Sequence, residues 1–195
     1  MKSLADLYDH MLRDVYHAEK QVLKQLPKWT RAVTDADLKS LLEAEKAGVA
    51  TRIETLEAGF EALDKRPRGI PCEAMIGLVE EASEVLEDAE EEAINAGVLA
   101  AYQAIKHYEI TRFGTLGAWA NRLGDLTIAA RFGKTVEEAK ALDERMSELA
   151  EREINPDADL GDGAEQPTSA KGETKKTPAR PASTTSGKPK AATKR

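Results

Sequence analysis

The chain has 195 residues, of which 41% are hydrophobic and only 5% are aromatic, and its formal net charge is −7. Its single cysteine excludes an intramolecular disulfide, and no apolar run approaches the roughly 18 residues of a membrane-spanning helix. Acidic residues near the N-terminus argue against a signal peptide, so we expect a cytoplasmic protein with one domain, an appendage and no membrane partner.

The first 33 residues predict one long amphipathic helix. Ser3 and Asp6 resemble a capping box, with the shorter acid in place of glutamate. Apolar residues then recur at steps of three or four over residues 4–33, which is the spacing of one helix face. Pro27 lies inside this stretch and predicts a kink or a break there.

A second helix is predicted to begin after Thr34, with Asp37 as its capping partner, and to end near Lys65. Its apolar stripe contains one charged residue, Glu45. Because the turn before it is only a few residues long, the first two helices should form an antiparallel hairpin. A shorter helix follows over residues 72–90, after a loop rich in proline and arginine.

The second half of the chain predicts two further long helices. The first spans roughly residues 92–122, and its apolar face also carries one charge, Lys106. A short helix is predicted over residues 125–132. Thr135 and Glu138 then form a capping box for a last helix that ends near residue 155. Taken alone, this pattern predicts an all-α helical bundle.

After Pro156 the helical pattern stops. We therefore predict a helical domain over residues 1–156 and a disordered tail, rich in Lys, Pro, Ala and Thr, over residues 157–195. Residues 167–195 carry a charge of +7 and residues 1–166 carry −14, so an acidic domain is followed by a basic tail. The basic residues of the tail are Lys171, Lys175, Lys176, Arg180, Lys188, Lys190, Lys194 and Arg195.

This tail leaves three interpretations open. It could contact nucleic-acid phosphates by counterion release, without reading sequence, although the acidic domain would oppose close approach to DNA. It could fold back on the acidic domain and screen its charge. It could also contact a protein partner.

The sequence lacks the usual signature of a metal-binding helical bundle. A di-iron or di-manganese bundle takes one Glu from each of two helices and a Glu-x-x-His pair from each of the other two. No Glu-x-x-His pair occurs, and the nearest match is Asp14 with His17. No Gly-rich phosphate loop, nucleophile elbow or Cys/His zinc spacing is found either, so we assign no catalytic residue.

Three stretches carry a resemblance to a known family. They are residues 18–21 (Ala-Glu-Lys-Gln), 72–78 (Cys-Glu-Ala-Met-Ile-Gly-Leu) and 107–110 (His-Tyr-Glu-Ile), the last followed by Gly-Thr-Leu at 114–116. Over about residues 4–155 the chain resembles the YciF/YciE-like branch of the ferritin-like proteins. The resemblance implies a ferritin-like four-helix bundle with an extra helix in the crossover connection. It also implies a di-metal carboxylate centre.

The ligand positions that the resemblance implies are mostly lost here. Glu19 matches the glutamate of the first helix, and Asp143 matches an aspartate of the last helix. The other positions hold residues that do not bind a metal cation: Ala47 and Ala50 in the second helix, Lys106 in the fourth, and Ala139 in the last.

We therefore predict a metal-free centre with an interior ion-pair network of Glu19, Glu45, Lys106 and Asp143. A protonated lysine offers no lone pair to a metal, and its charge could replace that of a metal ion. The competing interpretation is that Lys106 and Glu45 are ordinary boundary residues whose charged ends reach solvent. A further alternative is a residual iron or manganese site formed by Glu19, Glu45, Glu109 and Asp143.

Three functions follow from these observations. The first is a non-enzymatic, stress-associated bundle without a cofactor, which would form a homodimer through the exposed side of the helix over residues 72–90. The second is a di-iron or di-manganese oxidoreductase or iron-handling protein. The third is a nucleoid-associated protein that binds DNA through its tail. We favour the first.

Overall fold

The structure, a computed structural model, describes residues 1–158, and every regular element within them is helical. The all-α prediction is thus confirmed. Of the tail predicted over residues 157–195, all eight basic residues lie outside the described residues. The elements are α1 (Leu4–Ala32), α2 (Ala36–Ala62), α3 (Glu73–Asp88), α4 (Glu91–Leu123), α5 (Leu126–Leu149), a π-helical segment (Ala150–Ile154) and the short α6 (Asn155–Asp157).

Helix α1 begins as the sequence predicts and continues through its proline. The Ser3 hydroxyl accepts a hydrogen bond from the Asp6 backbone N–H, and the Asp6 carboxylate accepts one from the Ser3 N–H. Pro27 does not break the helix. Leu26 and Trp29, on either side of it, are both buried, so core packing holds this part of the helix in place.

Two helix starts differ from the predictions. Helix α2 is capped by Asp35, whose carboxylate accepts a hydrogen bond from the backbone N–H three residues on, and not by the predicted Thr34 and Asp37 pair. The predicted break before Thr135 is also wrong. Thr135 is buried within a continuous α5, because the apolar stripe that includes Phe132 runs uninterrupted across this position.

The connections produce one crossover. The backbone N–H groups of Thr34 and Asp35 donate to the side-chain oxygen of Asn95, which joins the α1–α2 turn to the start of α4. Near the other end of the bundle, Gly59 of α2 lies beside Phe132 of α5, and the Phe132 ring in turn packs against Phe113 in the second half of α4. Helices α2 and α4 therefore run parallel, and the long connection between them contains α3.

The core extends along the whole bundle. The rings of Trp29 and Tyr102 meet edge to face at a centroid distance of 5.8 Å, and those of Phe113 and Phe132 lie at the same distance. Within residues 1–158, no helix combines the length and apolar character needed to cross a membrane. The apolar packing surrounds one strongly polar region at the middle of the bundle.

Candidate functional site

Five charged side chains meet inside the bundle. We call them the buried charge cluster; three helices supply its members, Glu19 (α1), Glu45 and Arg52 (α2), and Lys106 and Glu109 (α4). Glu19, Lys106 and Glu109 are fully buried, whereas Glu45 and Arg52 are 9% and 7% exposed. Charged residues are rarely buried without partners, so the arrangement of their hydrogen bonds decides what the cluster can do.

Helix periodicity brings these residues together. Glu45 and Arg52 are two helical turns apart on α2, and Lys106 and Glu109 are one turn apart on α4, so each pair shares a helix face. Gly48 lies between the α2 pair. A Cβ atom at that position would lie 2.7 Å from Glu45 Oε1 and 3.2 Å from Arg52 Nη1, so glycine leaves the space that both side chains use.

The Arg52 guanidinium binds carboxylates from all three helices. Its Nε donates to Glu19 Oε2 at 2.9 Å and lies 3.3 Å from Glu109 Oε2. Its Nη2 donates to Glu45 Oε2 at 3.1 Å. A guanidinium is always charged and presents a planar fork of donors, so it can bridge several carboxylates at once.

Lys106 supplies the second positive charge. Its Nζ donates to Glu45 Oε2 at 2.6 Å and to Glu109 Oε2 at 2.8 Å, and it lies 4.8 Å from the centre of the Tyr102 ring. The Tyr102 hydroxyl donates to the same Glu45 oxygen at 2.7 Å. Oxygen Oε2 of Glu45 therefore receives three charged or polar donors.

Three carboxylates and two cations leave one negative charge in excess. Of the carboxylates, Glu19 is the one whose charged form is least favourable. Burial, together with the nearby charge of Glu109, raises the pKa of Glu19 to about 7 despite Arg52. Its Oε1 is buried and has no hydrogen-bond partner among the described residues. By contrast, burial acts to raise the pKa of Glu45, but the charges of Lys106 and Arg52 prevail and lower it to about 2.

These residues do not fit the di-metal centre that the resemblance implies. Such a centre needs carboxylate oxygens that face a space left for two cations, with histidine nitrogens among the ligands. Here Arg52 and Lys106 place their charged groups among the carboxylates and bind their oxygens. Over residues 1–158, no group of three or more His, Cys, Asp or Glu side chains is arranged to hold a metal ion.

The predicted network residues do not all meet. Glu19, Glu45 and Lys106 lie in the buried charge cluster, but including Asp143 was wrong. Its carboxylate accepts a hydrogen bond from Gln103 Nε2 at 3.1 Å and lies 3.2 Å from the exposed His107 ring. Helix α5 instead presents the buried Ala139, a residue without a polar side chain, where the resemblance implies a glutamate.

Two other expectations need correction. Lys106 is fully buried, so the interpretation of it as a solvated boundary residue is wrong. Ala47 and Ala50 are exposed on α2, so they do not occupy ligand positions. On α2, the residues with the same spacing of three that lie at the buried charge cluster are Glu45 and Gly48.

Arg52 was missed by sequence reasoning although a signal for it exists. It follows Val49 by three residues and precedes Leu56 by four, and both of these residues belong to the buried stripe of α2. A charged residue at these two spacings lies on the same helix face as its apolar neighbours. Because arginine is usually exposed, Arg52 was not included in the predicted apolar stripe of α2.

The comparisons with known proteins agree with this fold. The family described as "Domain of unknown function (DUF892)" matches residues 3–159. Protein YciF of Escherichia coli K12 is 35% identical over 161 residues, which cover 82% of this chain and 97% of that protein.

Two solved structures are similar. The E. coli stress protein YciF matches with a TM-score of 0.75 and 36% identity, over 80% of this chain and 99% of that one. YcfI from Rhodopseudomonas palustris matches with a TM-score of 0.72 and 37% identity, over 75% of this chain and 94% of that one. The chain therefore belongs to the DUF892 family of YciF-like proteins.

Proposed function

We propose that this protein is a non-enzymatic, stress-associated member of the ferritin-like bundles whose centre works without a metal. The observation that supports this proposal is the position of Arg52 and Lys106, whose charged groups lie among the three buried carboxylates. The association with stress rests on the similarity to E. coli YciF, which is named a stress protein. No residue pair in the described centre offers an unoccupied base beside a nucleophile.

Arg52 and Lys106 replace the positive charge that metal ions would supply. Carboxylates from three helices would repel one another strongly in a dry core, and two metal ions would be one way to compensate them. A guanidinium and an ammonium provide two positive charges in the same region. Both groups also donate hydrogen bonds to the carboxylate oxygens, and these bonds occupy the lone pairs that a metal would need.

Metal stoichiometry tests this proposal directly. The purified protein is incubated anaerobically with Fe(II) or Mn(II), desalted, and analysed for metal per chain by plasma mass spectrometry. We expect near-zero metal in the wild-type protein. One or two ions per wild-type chain would contradict the proposal and would favour the alternative of a di-iron or di-manganese oxidoreductase or iron-handling protein.

Two variants test how Lys106 and Arg52 affect metal retention. Lys106→Glu restores the acid that the resemblance implies at this position, and Arg52→Gln/Lys106→Glu removes both positive charges. Greater metal retention in the double variant than in Lys106→Glu alone would show that Arg52 is a further barrier to metal binding. Lys134→Glu, at an exposed position of α5, is the control for nonspecific binding to an added carboxylate.

The tail supports a second candidate function. Residues 167–195 carry +7, which favours contact with nucleic-acid phosphates. Gel shifts of the full-length chain against a 1–166 truncation test whether this protein binds DNA. Equal mobility of DNA with the two proteins would exclude a nucleoid-associated role through the tail, and a tail-dependent shift that weakens with salt would support it.

The predicted homodimer stays a prediction. The outer side of α3 would have to bury exposed acids such as Glu80, Glu84 and Glu87 near their counterparts. Like charges at an interface repel one another, and salt screens that repulsion. If the dimer forms through α3, light scattering should therefore show stronger association at high salt. A monomer at all salt concentrations would rule it out.

A further inference from the structure

The contact between Lys106 and Glu45 holds an amino group against a carboxyl group inside the bundle. Lys106 Nζ lies 2.6 Å from Glu45 Oε2, and the two residues are 61 positions apart in the chain, on α4 and α2. Groups that are held in contact react far more readily than the same groups free in solution. Attack on the carboxyl carbon Cδ requires Nζ to move from the oxygen to the face of the carboxyl group, which the flexible stem of lysine allows.

Two donors point at the oxygen of Glu45 that would become negatively charged if an amide bond formed. Attack of an amine on a carboxyl carbon places a negative charge on one carboxyl oxygen. Arg52 Nη2 donates to Glu45 Oε2 at 3.1 Å, and the Tyr102 hydroxyl donates to the same oxygen at 2.7 Å. Both distances lie in the range of about 2.7–3.1 Å that is typical of donors that stabilise such an oxyanion.

Glu109 lies where it can take the proton that the amino group must lose. A protonated lysine has no lone pair and cannot attack a carbon atom. Glu109 Oε2 accepts a hydrogen bond from Lys106 Nζ at 2.8 Å, which is within the reach of a general base. Its Oε1 accepts a bond from Arg52 Nη2 at 3.4 Å, so both oxygens are bound within the buried charge cluster. Glu109 can therefore serve Lys106, but no outside substrate.

The oxygen that leaves has a route out of the bundle. Every hydrogen bond that the structure describes for Glu45 ends at Oε2, so Oε1 is the oxygen that can leave as water. Glu45 also lines a groove of about 690 Å³ between α2 and α5. A released water molecule can therefore reach solvent without crossing the apolar core.

We propose that Lys106 and Glu45 form an intramolecular amide bond that cross-links α4 to α2. Glu109 accepts a proton from Nζ, the amine attacks Cδ of Glu45, and Arg52 and Tyr102 stabilise the oxyanion at Oε2. The carbonyl then re-forms at Oε2, and the bond from Cδ to Oε1 breaks. Both protons that Nζ loses end on Oε1, which leaves as water. One ammonium and one carboxylate thus give one amide and one water, so no co-reactant is needed.

The ion pair is the resting form of the two groups. Burial acts to raise the pKa of Glu45, but the charges of Lys106 and Arg52 outweigh it and lower this pKa to about 2. The neutral amine and acid are therefore rare, and we expect the amide to accumulate slowly after the protein has folded.

The proposal rests on the metal-free centre, because a metal ion bound to Glu45 would compete with Lys106 for the carboxylate. Metal content and protein mass are separate measurements, so either proposal can fail without the other. If metal binds and the amide is absent, both are wrong. If no metal binds and the mass stays that of the sequence, only the amide is excluded.

Intact-mass spectrometry of the full-length protein tests the proposal. Samples are taken over several days in native buffer and, as a control, in concentrated urea, where the two residues are no longer held together. We expect a species that is lighter than the sequence mass by one water and that does not increase in urea. The full sequence mass throughout the native incubation, or an equal increase of the lighter species in urea, would overturn the proposal.

Peptide mapping locates the bond. Trypsin does not cleave after an amidated lysine, so the cross-link should join the tryptic peptide over residues 40–46 to the peptide over residues 69–112. Fragment ions should place the link at Glu45. A loss of water confined to the peptide over residues 69–112 would refute the assignment, because it would fit a bond between Lys106 and Glu109 of the same helix.

Two variants test the groups involved. Lys106→Arg keeps the positive charge but has no amine, so the lighter species should be absent. Tyr102→Phe removes one donor to Oε2 and should slow the accumulation of the lighter species at least about tenfold. Lys134→Arg, at an exposed pair of α5, should behave as the wild type. If Lys106→Arg does not fold, the wild-type peptide map still decides. Water loss in folded Lys106→Arg, or an unchanged rate in Tyr102→Phe, would contradict the mechanism.

Discussion

Lys106 Nζ lies 2.6 Å from Glu45 Oε2, and this contact joins α4 to α2 across the centre of the bundle. The ammonium is fully buried, and Glu109 on its own helix binds it as well. Neither carboxylate could stay charged at this depth without a cation beside it. The contact therefore holds the helices together and, at the same time, depends on them to exclude water.

Removing this cation should destabilise the protein strongly. Lys106→Ala leaves three buried carboxylates with one guanidinium, and breaking such a buried pair costs about 3–5 kcal/mol. Urea unfolding should show a loss of this size in the free energy of unfolding. Lys134→Ala removes an exposed pair and should cost about 0–1 kcal/mol. A loss below about 1 kcal/mol for Lys106→Ala would contradict this account.

Two glycines in helices should respond in opposite ways to alanine. Alanine is normally the better helix former by about 1 kcal/mol. At Gly48 the new methyl would lie 2.7 Å from Glu45 Oε1, and Glu45 cannot move without weakening its bonds to Arg52 and Lys106. Gly48→Ala should therefore lower the thermal unfolding temperature.

Gly133→Ala is the matched control. Apart from the adjacent residues and the backbone of its own helix, no atom lies within 4 Å of a Cβ built at this position of α5, so helix propensity alone should act and raise the unfolding temperature slightly. A rise in the unfolding temperature for both substitutions would contradict the prediction, because it would show that the buried charge cluster does not need the space beside Gly48.

The protonation of Glu19 should make stability depend on pH. Burial raises the pKa of Glu19 from 4.5 to about 7, so the folded state holds the proton more tightly than the unfolded state between these values. The contribution of Glu19 protonation to the free energy of unfolding is therefore fully present below about pH 4.5 and is lost as the pH rises through 7. The slope should reach up to about 1.4 kcal/mol per pH unit.

Glu19→Gln provides the measurement. The difference in unfolding free energy between wild type and variant is followed from pH 5 to pH 8, where the shared histidines cancel. We expect the wild type to lose stability relative to Glu19→Gln as the pH rises. Glu45, with its pKa lowered to about 2, loses its stabilising contribution only as the pH falls below 4.5 toward that value, outside this window. Parallel curves would show that Glu19 does not titrate there.

Cys72 should react only when the protein opens. It is buried and caps α3, where its sulfur accepts a hydrogen bond from the Met75 backbone N–H, and it lies 3.0 Å from the Tyr108 hydroxyl. Burial raises the pKa of the Cys72 thiol, which lowers its thiolate fraction further.

Ellman's reagent can measure this protection. The thiol colour should appear slowly in native buffer and at once in concentrated urea, and the signal is unambiguous because the chain has one cysteine. Tyr108→Phe should accelerate the native reaction by loosening the α3–α4 contact. Rapid labelling of the native wild type would instead place Cys72 at an accessible surface.

Much of the fold could be predicted from residue patterns, for reasons visible in the structure. The capping box at Ser3 is local, and the apolar stripes of α1, α2 and α4 reflect one buried face each. Thr135 misled the prediction because its capping signature also fits a helix interior, where its hydroxyl donates to the Arg131 carbonyl.

The site was harder to predict because its members belong to three helices. Periodicity identified Glu45 and Lys106 as charges on apolar faces, but it cannot specify which partners face them across the bundle. Arg52 therefore went unrecognised, although it binds three of the other cluster members. Asp143 was misplaced because it was assigned from the resemblance, and a sequence match does not fix the rotation of the helix about its axis.

The positions of Arg52 and Lys106 have a consequence for when the protein can fold. A bundle whose carboxylates are compensated by metal becomes fully stable only after an ion has been delivered, and a chelator can reverse that step. Here both positive charges are covalent parts of the chain and are present as soon as it is synthesised. On the proposed function, this bundle reaches its final stability in a cell starved of iron or manganese as readily as in a replete one.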